Sequence, residues 1–228
     1  MTLLYNLIFI ILSWLVIYRI EKKSIFQLWL QPWSRRRKEF LQGFFFLAGL
    51  CILSQVVFTV LNGTSWSISQ DLKAEKFLDS LYFDINSVLF EELLFRGLTL
   101  HLLINYLNEN RAIIISSIAF GIYHWFTMGV LGNSMAMMAV FVVTASMGFA
   151  FASAYATTRS LLFPIGLHLG WNFTNHNIFS QGPLSTMFLE ASKASASTPT
   201  AQWGAFLTYL IVSLLTLLFV RYSYKTIP

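Results

Sequence analysis

Two glutamates stand side by side in an otherwise apolar run, Glu91 and Glu92 within residues 88–100, and Arg96 follows them. A charged side chain in hydrocarbon costs about 2.5–3.5 kcal/mol on insertion scales, so a pair of carboxylates needs partners. The chain offers His124, His168 and Asn172 on two later apolar segments. Carboxylates, imidazoles and an amide gathered where water is scarce can activate a water and stabilise an oxyanion, which is hydrolytic chemistry. A lone His or Asn inside a membrane is more often a hydrogen-bonding link between helices. Five such groups, two of them carboxylates, are hard to explain as links when small residues would pack as well.

Helical geometry sorts these groups. At about 100° per residue, Glu92 and Arg96 lie one turn apart and can pair, which leaves Glu91 free as an acid or base. Asp84 and Glu91 share nearly one face, two turns apart, and Asp84 reads as a bond to a neighbouring helix. Phe120 and His124 share a face of one later segment, His168 and Asn172 a face of another. Each segment thus directs one small polar patch to one side, and a common central site is expected. His101, near the end of its span and off the Glu91 face, reads as interfacial; His176, two turns after His168, is a weaker candidate for the site. Pro164 and Gly166 are expected to fix the start of the helix that bears His168. Gly97, Gly121 and Gly170 lie beside polar positions, where they would let backbones approach closely.

The elements that must hold these residues are membrane helices. The chain has 228 residues, 56% hydrophobic and 11% charged. Its mean hydropathy is +0.64. Ordinary soluble domains carry about 25% charged residues, so the fold class expected is all-α, a polytopic transmembrane helix bundle. Crossing about 30 Å of hydrocarbon takes roughly 20 residues. Seven segments qualify, at about 2–19, 40–61, 79–106, 112–130, 135–157, 161–180 and 203–221, with a re-entrant piece around 66–77 as a candidate eighth. The first segment lacks a basic region before it and reads as a retained span, not a signal peptide. Loops assigned alternately put Arg19, Lys22, Lys23, Arg35, Arg36, Arg37, Lys38, Arg111, Arg159, Arg221 and Lys225 on one side, and only Lys73, Lys76 and Lys193 on the other. By the positive-inside rule the N-terminus is outside and the C-terminus inside. That rule also explains the pI near 9.4 without nucleic acid, because the cations lie in short loops, the cluster Arg35, Arg36, Arg37 and Lys38 serving as a topology anchor. Residues 190–200, small and polar, read as a mobile outside loop. The single cysteine, Cys51, rules out an internal disulfide. The whole chain, 1–228, reads as one membrane domain.

Three motifs then fall into order. Glu91-Glu92-Leu93-Leu94-Phe95-Arg96, followed by Gly97, has the form E-E-x-x-x-R; Phe120-Gly121-Ile122-Tyr123-His124 has the form F-x-x-x-H; His168-Leu169-Gly170-Trp171-Asn172 has the form H-x-x-x-N. Each is weak alone, but all three in order on three spans resemble the CPBP intramembrane proteases, which include the type II CAAX prenyl endopeptidases. The resemblance covers about 80–178, the expected catalytic core, including the turn Thr158-Arg159-Ser160 that leads into Pro164. It implies glutamate-dependent peptide hydrolysis inside the bilayer. Glu91 would be the general base that activates water, His124 would help to hold that water, His168 and Asn172 would donate to the oxyanion, and Glu92 with Arg96 would hold the others in position.

The family is often called metalloproteases, and a divalent metal such as zinc would take Glu91, His124 and His168. A metal-free mechanism is favoured, because H-E-x-x-H is absent and an amide one turn after a His serves better as an oxyanion donor than as a zinc ligand. The partners expected are the lipid bilayer and a peptide or membrane-protein substrate, with no nucleic acid. Few residues lie outside the membrane, which suggests a bacterial plasma-membrane protein acting on a bacteriocin or pheromone precursor or another membrane protein. Two other readings are a non-catalytic bacteriocin-immunity or partner-binding protein on the same scaffold, and a small transporter with a carboxylate proton relay. The transporter reading finds no repeat symmetry and leaves the His/Asn pair unexplained.

Overall fold

Residues 2–70, 72–184, 188–192 and 198–224 are described by a computed structural model. Lys225 and, within the 190–200 loop, residues 193–197 with Lys193 lie outside the described residues; the two ends of that stretch are strand and helix, not loop. The all-α expectation holds: most of the described residues are helical. Helix α1 spans Thr2–Glu21 and α2 spans Ile25–Leu30; the latter starts at a capping box in which Ser24 and Gln27 satisfy each other's backbone N–H groups. Helix α3 runs Trp33–Asn62 and stops at Gly63, whose left-handed backbone (φ 61°) suits a residue without Cβ. Helix α4, Ala74–Glu92, passes without a break into a π-helical stretch, Leu93–Leu100, and then into α5, His101–Tyr106. Helices α6 (Glu109–Thr127) and α7 (Ser134–Thr158) are N-capped by the side chains of Asn108 and Asn133. Helix α8, Leu162–Phe173, continues into a second π-helical stretch, Thr174–Ile178, and α9 covers Pro199–Ser223 behind a Thr198 cap.

Helical runs therefore occupy all seven predicted segments. Four of them, α1, α3, α7 and α9, are long and apolar enough to cross a membrane by length and composition. The other three runs carry the polar motif residues, which lowers their hydropathy. No separate helix fills 66–77. Strand β1, Trp66–Ile68, pairs antiparallel with β2, Leu189–Ala191, with Trp66 opposite Ala191, and the rest of the stretch leads into the start of α4. Two short β-prone runs far apart in sequence meet there, a pairing that local pattern does not reveal.

Helix α3 packs along α8, α6 along α7, and α7 also against α9. The α3–α8 approach is close enough to require glycine: a Cβ on Gly166 or Gly170 would stand 2.2 Å from the carbonyl oxygen of Phe40 or Phe44. Gly166 thus serves helix contact, not the start of α8, which begins earlier at Leu162. Gly97 makes no such approach; its nearest neighbour would be the Trp29 ring at 3.5 Å.

One expectation about charge needs correction. The basic cluster is not a loop but the first turns of α3, and Arg36 is buried there. Its Nη1 donates to Glu39 at 3.0 Å and to the Thr158 carbonyl at 2.9 Å, tying α3 to the C-terminal end of α7. His101, expected near the end of its span, gains partners from other helices there. It is buried between the ends of α1, α5 and α7, with Nε2 2.5 Å from Glu21 and Nδ1 2.9 Å from the Tyr155 hydroxyl.

Candidate active site

Glu91 and Glu92 close α4 and face different neighbours. Glu92 is fully buried, and its Oε1 accepts from Arg96 Nη1 at 3.0 Å and from His168 Nδ1 at 2.8 Å. Arg96, also fully buried, donates a further bond to the Gly148 carbonyl at 3.2 Å and lies 4.2 Å from the Phe120 ring centroid. The spacing-based pairing of Glu92 with Arg96 holds. Beyond it, Glu92 reaches across to α8 and orients the imidazole of the third motif.

Glu91 turns to the two imidazoles. Its Oε2 lies 3.9 Å from Nε2 of His124 and 3.9 Å from Nε2 of His168. That oxygen is buried and has no protein hydrogen-bond partner. The protonation of both rings follows from their other nitrogens. His124 Nδ1 stands 2.8 Å from the Phe120 carbonyl, which can only accept, so Nδ1 carries the proton. His168 Nδ1 donates to the Arg96-paired Glu92 carboxylate. In each neutral ring Nε2 is then a bare acceptor. Three oxygen and nitrogen atoms converge with no hydrogen bond among them, and a water between them can donate to two at a time.

Phe120, His124, His168 and Asn172 line one cavity of about 630 Å³ between α6, α7, α8 and α9. Glu91 is not on that wall; it meets the cavity's imidazoles at their Nε2 atoms. The Asn172 side chain borders the cavity, and no described residue bonds its amide. The expected common site is therefore brought together from three separate helical runs. Gly121 and Gly148 let α6 and α7 close on one another: a Cβ on Gly148 would fall 2.9 Å from Phe120.

Asp84 and His176 form a pairing that spacing alone did not disclose. Asp84, fully buried, accepts from His176 Nδ1 at 2.6 Å and from Asn177 Nδ2 at 2.6 Å. Asp84 does bond a neighbouring helix, as its burial required, but through a histidine that also lines the cavity. The clue was present in a second acid–imidazole pair, set apart by its distance along the helix from His168.

The facing atoms are of a kind that binds zinc, two imidazole nitrogens and a carboxylate oxygen. Around a tetrahedral ion with bonds of about 2.0–2.1 Å they would stand about 3.3–3.4 Å apart. Here both separations are 3.9 Å, and among the described residues no three His, Cys, Asp or Glu side chains are arranged to hold a metal. The set as it stands is too wide for zinc and suits a water molecule.

Residues 73–174, just under half of the chain, match the family of type II CAAX prenyl endopeptidase Rce1-like proteins. Comparison with curated proteins and with solved structures finds no match. The matched residues run from the start of α4 to the first residue of the second π-helical stretch and contain all three motifs. That match supports membership of the CPBP family, a family of membrane proteases, and with four helices long and apolar enough to cross a membrane it points to an integral membrane protein.

Proposed function

We propose that the protein is a glutamate-dependent intramembrane endopeptidase that hydrolyses a peptide bond of a membrane-associated peptide or protein. The observation that carries this reading is the convergence of Glu91 Oε2, His124 Nε2 and His168 Nε2, with both rings turned so that these nitrogens accept. A water that donates to Glu91 and to one imidazole Nε2, at about 2.8 Å each, has its lone pairs free for a carbonyl carbon. Glu91 takes a proton from that water as its oxygen attacks, giving a tetrahedral oxyanion. The same proton, now on Glu91, passes to the leaving nitrogen as the C–N bond breaks, and the products are a carboxylic acid and an amine.

The Asn172 amide, unpaired at the cavity wall, donates to the oxyanion. His168 divides its roles differently from the expectation drawn from the family. With Nδ1–H committed to Glu92, its Nε2 donates only as imidazolium, so the neutral ring joins His124 in holding water. Glu92 and Arg96 act through His168, fixing its orientation. No step calls on a metal.

The membrane arrangement belongs to the same reading. Seven helical runs support seven crossings, and the excess of Lys and Arg on alternate loops supports an outside N-terminus and inside C-terminus. The small chain with little outside the bilayer fits the plasma membrane of a bacterium, where the substrate is a peptide precursor or another membrane protein.

The test compares membranes of cells making wild type with those making Glu91→Gln, with released peptides identified by mass spectrometry. Cleavage products present with wild type and absent with the variant are expected. Equal products from both would remove Glu91 from the role of base.

A further inference from the structure

A third imidazole borders the cavity, and the hydrolysis described above leaves it idle. His176 keeps 18% of its side chain exposed, while Asp84 behind it is fully buried. Asp84 accepts from His176 on one oxygen and from Asn177 on the other, both at 2.6 Å. The proton on His176 therefore sits on Nδ1, and Nε2 points away from Asp84 with a free lone pair. No described residue bonds that nitrogen.

Three features place His176 beside the hydrolytic residues on the cavity wall. His168, Asn172 and His176 follow one another at intervals of four residues, about 6 Å along a helix that rises 1.5 Å per residue. In a continuous α-helix four residues overshoot one turn by about 40°. The π-helical stretch Thr174–Ile178, with its wider i→i+5 turn, advances less per residue and takes back part of that drift. The chain then folds over the ring: a Cβ on Gly182 would lie 2.7 Å from His176 Cβ and 2.8 Å from Cγ. A plain structural tie between α4 and the π turn needs the Nδ1 bond alone. It does not need a ring that also borders the cavity.

We propose that His176 is a substrate-contacting residue whose Nε2 accepts a backbone N–H from an extended peptide with its scissile carbonyl at Asn172. The spacing supports this: groups on one edge of an extended chain recur every two residues, about 6.4–6.8 Å, close to the Asn172–His176 interval. The inference deepens the peptidase reading and rests on it. It states the substrate class: a segment held extended across the cut, with a free N–H, and hence no proline, at one position near the scissile bond.

The experiment uses the full chain in detergent micelles with a tryptic peptide library of membrane proteins, cut sites being read by mass spectrometry. His176→Asn is the informative variant, because the Asn amide reproduces the Nδ1–H bond to Asp84 and leaves nothing at the Nε2 position. Loss of one hydrogen bond of about 1–1.5 kcal/mol raises KM roughly tenfold with kcat little changed. Wild type excludes proline at one fixed position near the cut, and His176→Asn loses that exclusion. A purely structural His176 predicts that His176→Asn behaves as wild type, and that result overturns the inference.

A second arm does not depend on turnover. Glu91→Gln protein is photo-crosslinked to a short, biotinylated, proline-free peptide carrying benzoylphenylalanine, with and without His176→Asn. Labelling that falls with His176→Asn supports the contact. Labelling indifferent to it overturns the contact. Labelling that depends on His176 while wild type cleaves nothing retains the contact and refutes the peptidase reading; neither labelling nor cleavage refutes both.

Discussion

Replacing Arg96 with Met tests the buried charge pair behind the site. Both Arg96 and Glu92 are fully buried, joined at 3.0 Å, and Arg96 adds a 3.2 Å bond to Gly148 and a ring contact with Phe120 at 4.2 Å. Met keeps much of the side-chain length and removes the charge, which strands the Glu92 carboxylate with only His168 Nδ1–H as partner. Breaking a buried pair from one side costs about 3–5 kcal/mol, most of it the penalty of the charge left behind. The lost ring contact adds about 0.5–2 kcal/mol. Adding Glu92→Gln removes the stranded charge and should return about 1–3 kcal/mol, the size of coupling found between contacting residues. Equilibrium unfolding in mixed micelles, followed by the fluorescence of the seven tryptophans, measures both variants. An Arg96→Met protein within about 1 kcal/mol of wild type would refute the reasoning, as would a double variant no more stable than the single one.

Three further outcomes follow from the same geometry. Asn172→Ala should lower kcat by about 10²–10³ without changing the unfolding midpoint, since its amide serves only the oxyanion; a small kinetic effect would assign that donation elsewhere. Gly170→Ala should destabilise the protein by about 1–3 kcal/mol, because its Cβ meets the Phe44 carbonyl at 2.2 Å and drives α3 from α8; an unchanged thermal midpoint would contradict so tight a crossing. Dialysis against a zinc chelator should leave peptide cleavage intact, whereas activity lost to the chelator and restored by zinc alone would overturn the metal-free mechanism.

Much of the candidate site was legible in the amino-acid order because burial makes charge conspicuous. Glu91, Glu92 and Arg96 cannot sit in an apolar run without partners, and the four-residue spacings from Glu92, Phe120 and His168 each define one helical face. The reach of Glu92 to His168 was not legible, because nothing in either segment states which helix lies opposite. Arg36 was mistaken for a loop cation for a related reason: a run of basic residues looks the same whether it faces water or, as here, the carbonyl end of α7.

The π turns are the instructive failure. Shifting a backbone bond from i→i+4 to i→i+5 requires no particular residue type, so neither 93–100 nor 174–178 differs in composition from α-helix. Yet both begin next to motif residues, the first inside its motif at Leu93 behind the glutamate pair, the second at Thr174 behind Asn172. A uniform 100° pitch groups His168 correctly with Asn172, since both precede the second wide turn. His176 ranked lower for its depth, two turns past His168, and the same pitch carried that far would also turn it about 80° from the His168 face. The wider turn moves it back toward the cavity, where the buried Asp84 fixes its ring. A residue that sequence spacing ranks as peripheral thus becomes part of the cavity wall through one extra residue in a helical turn.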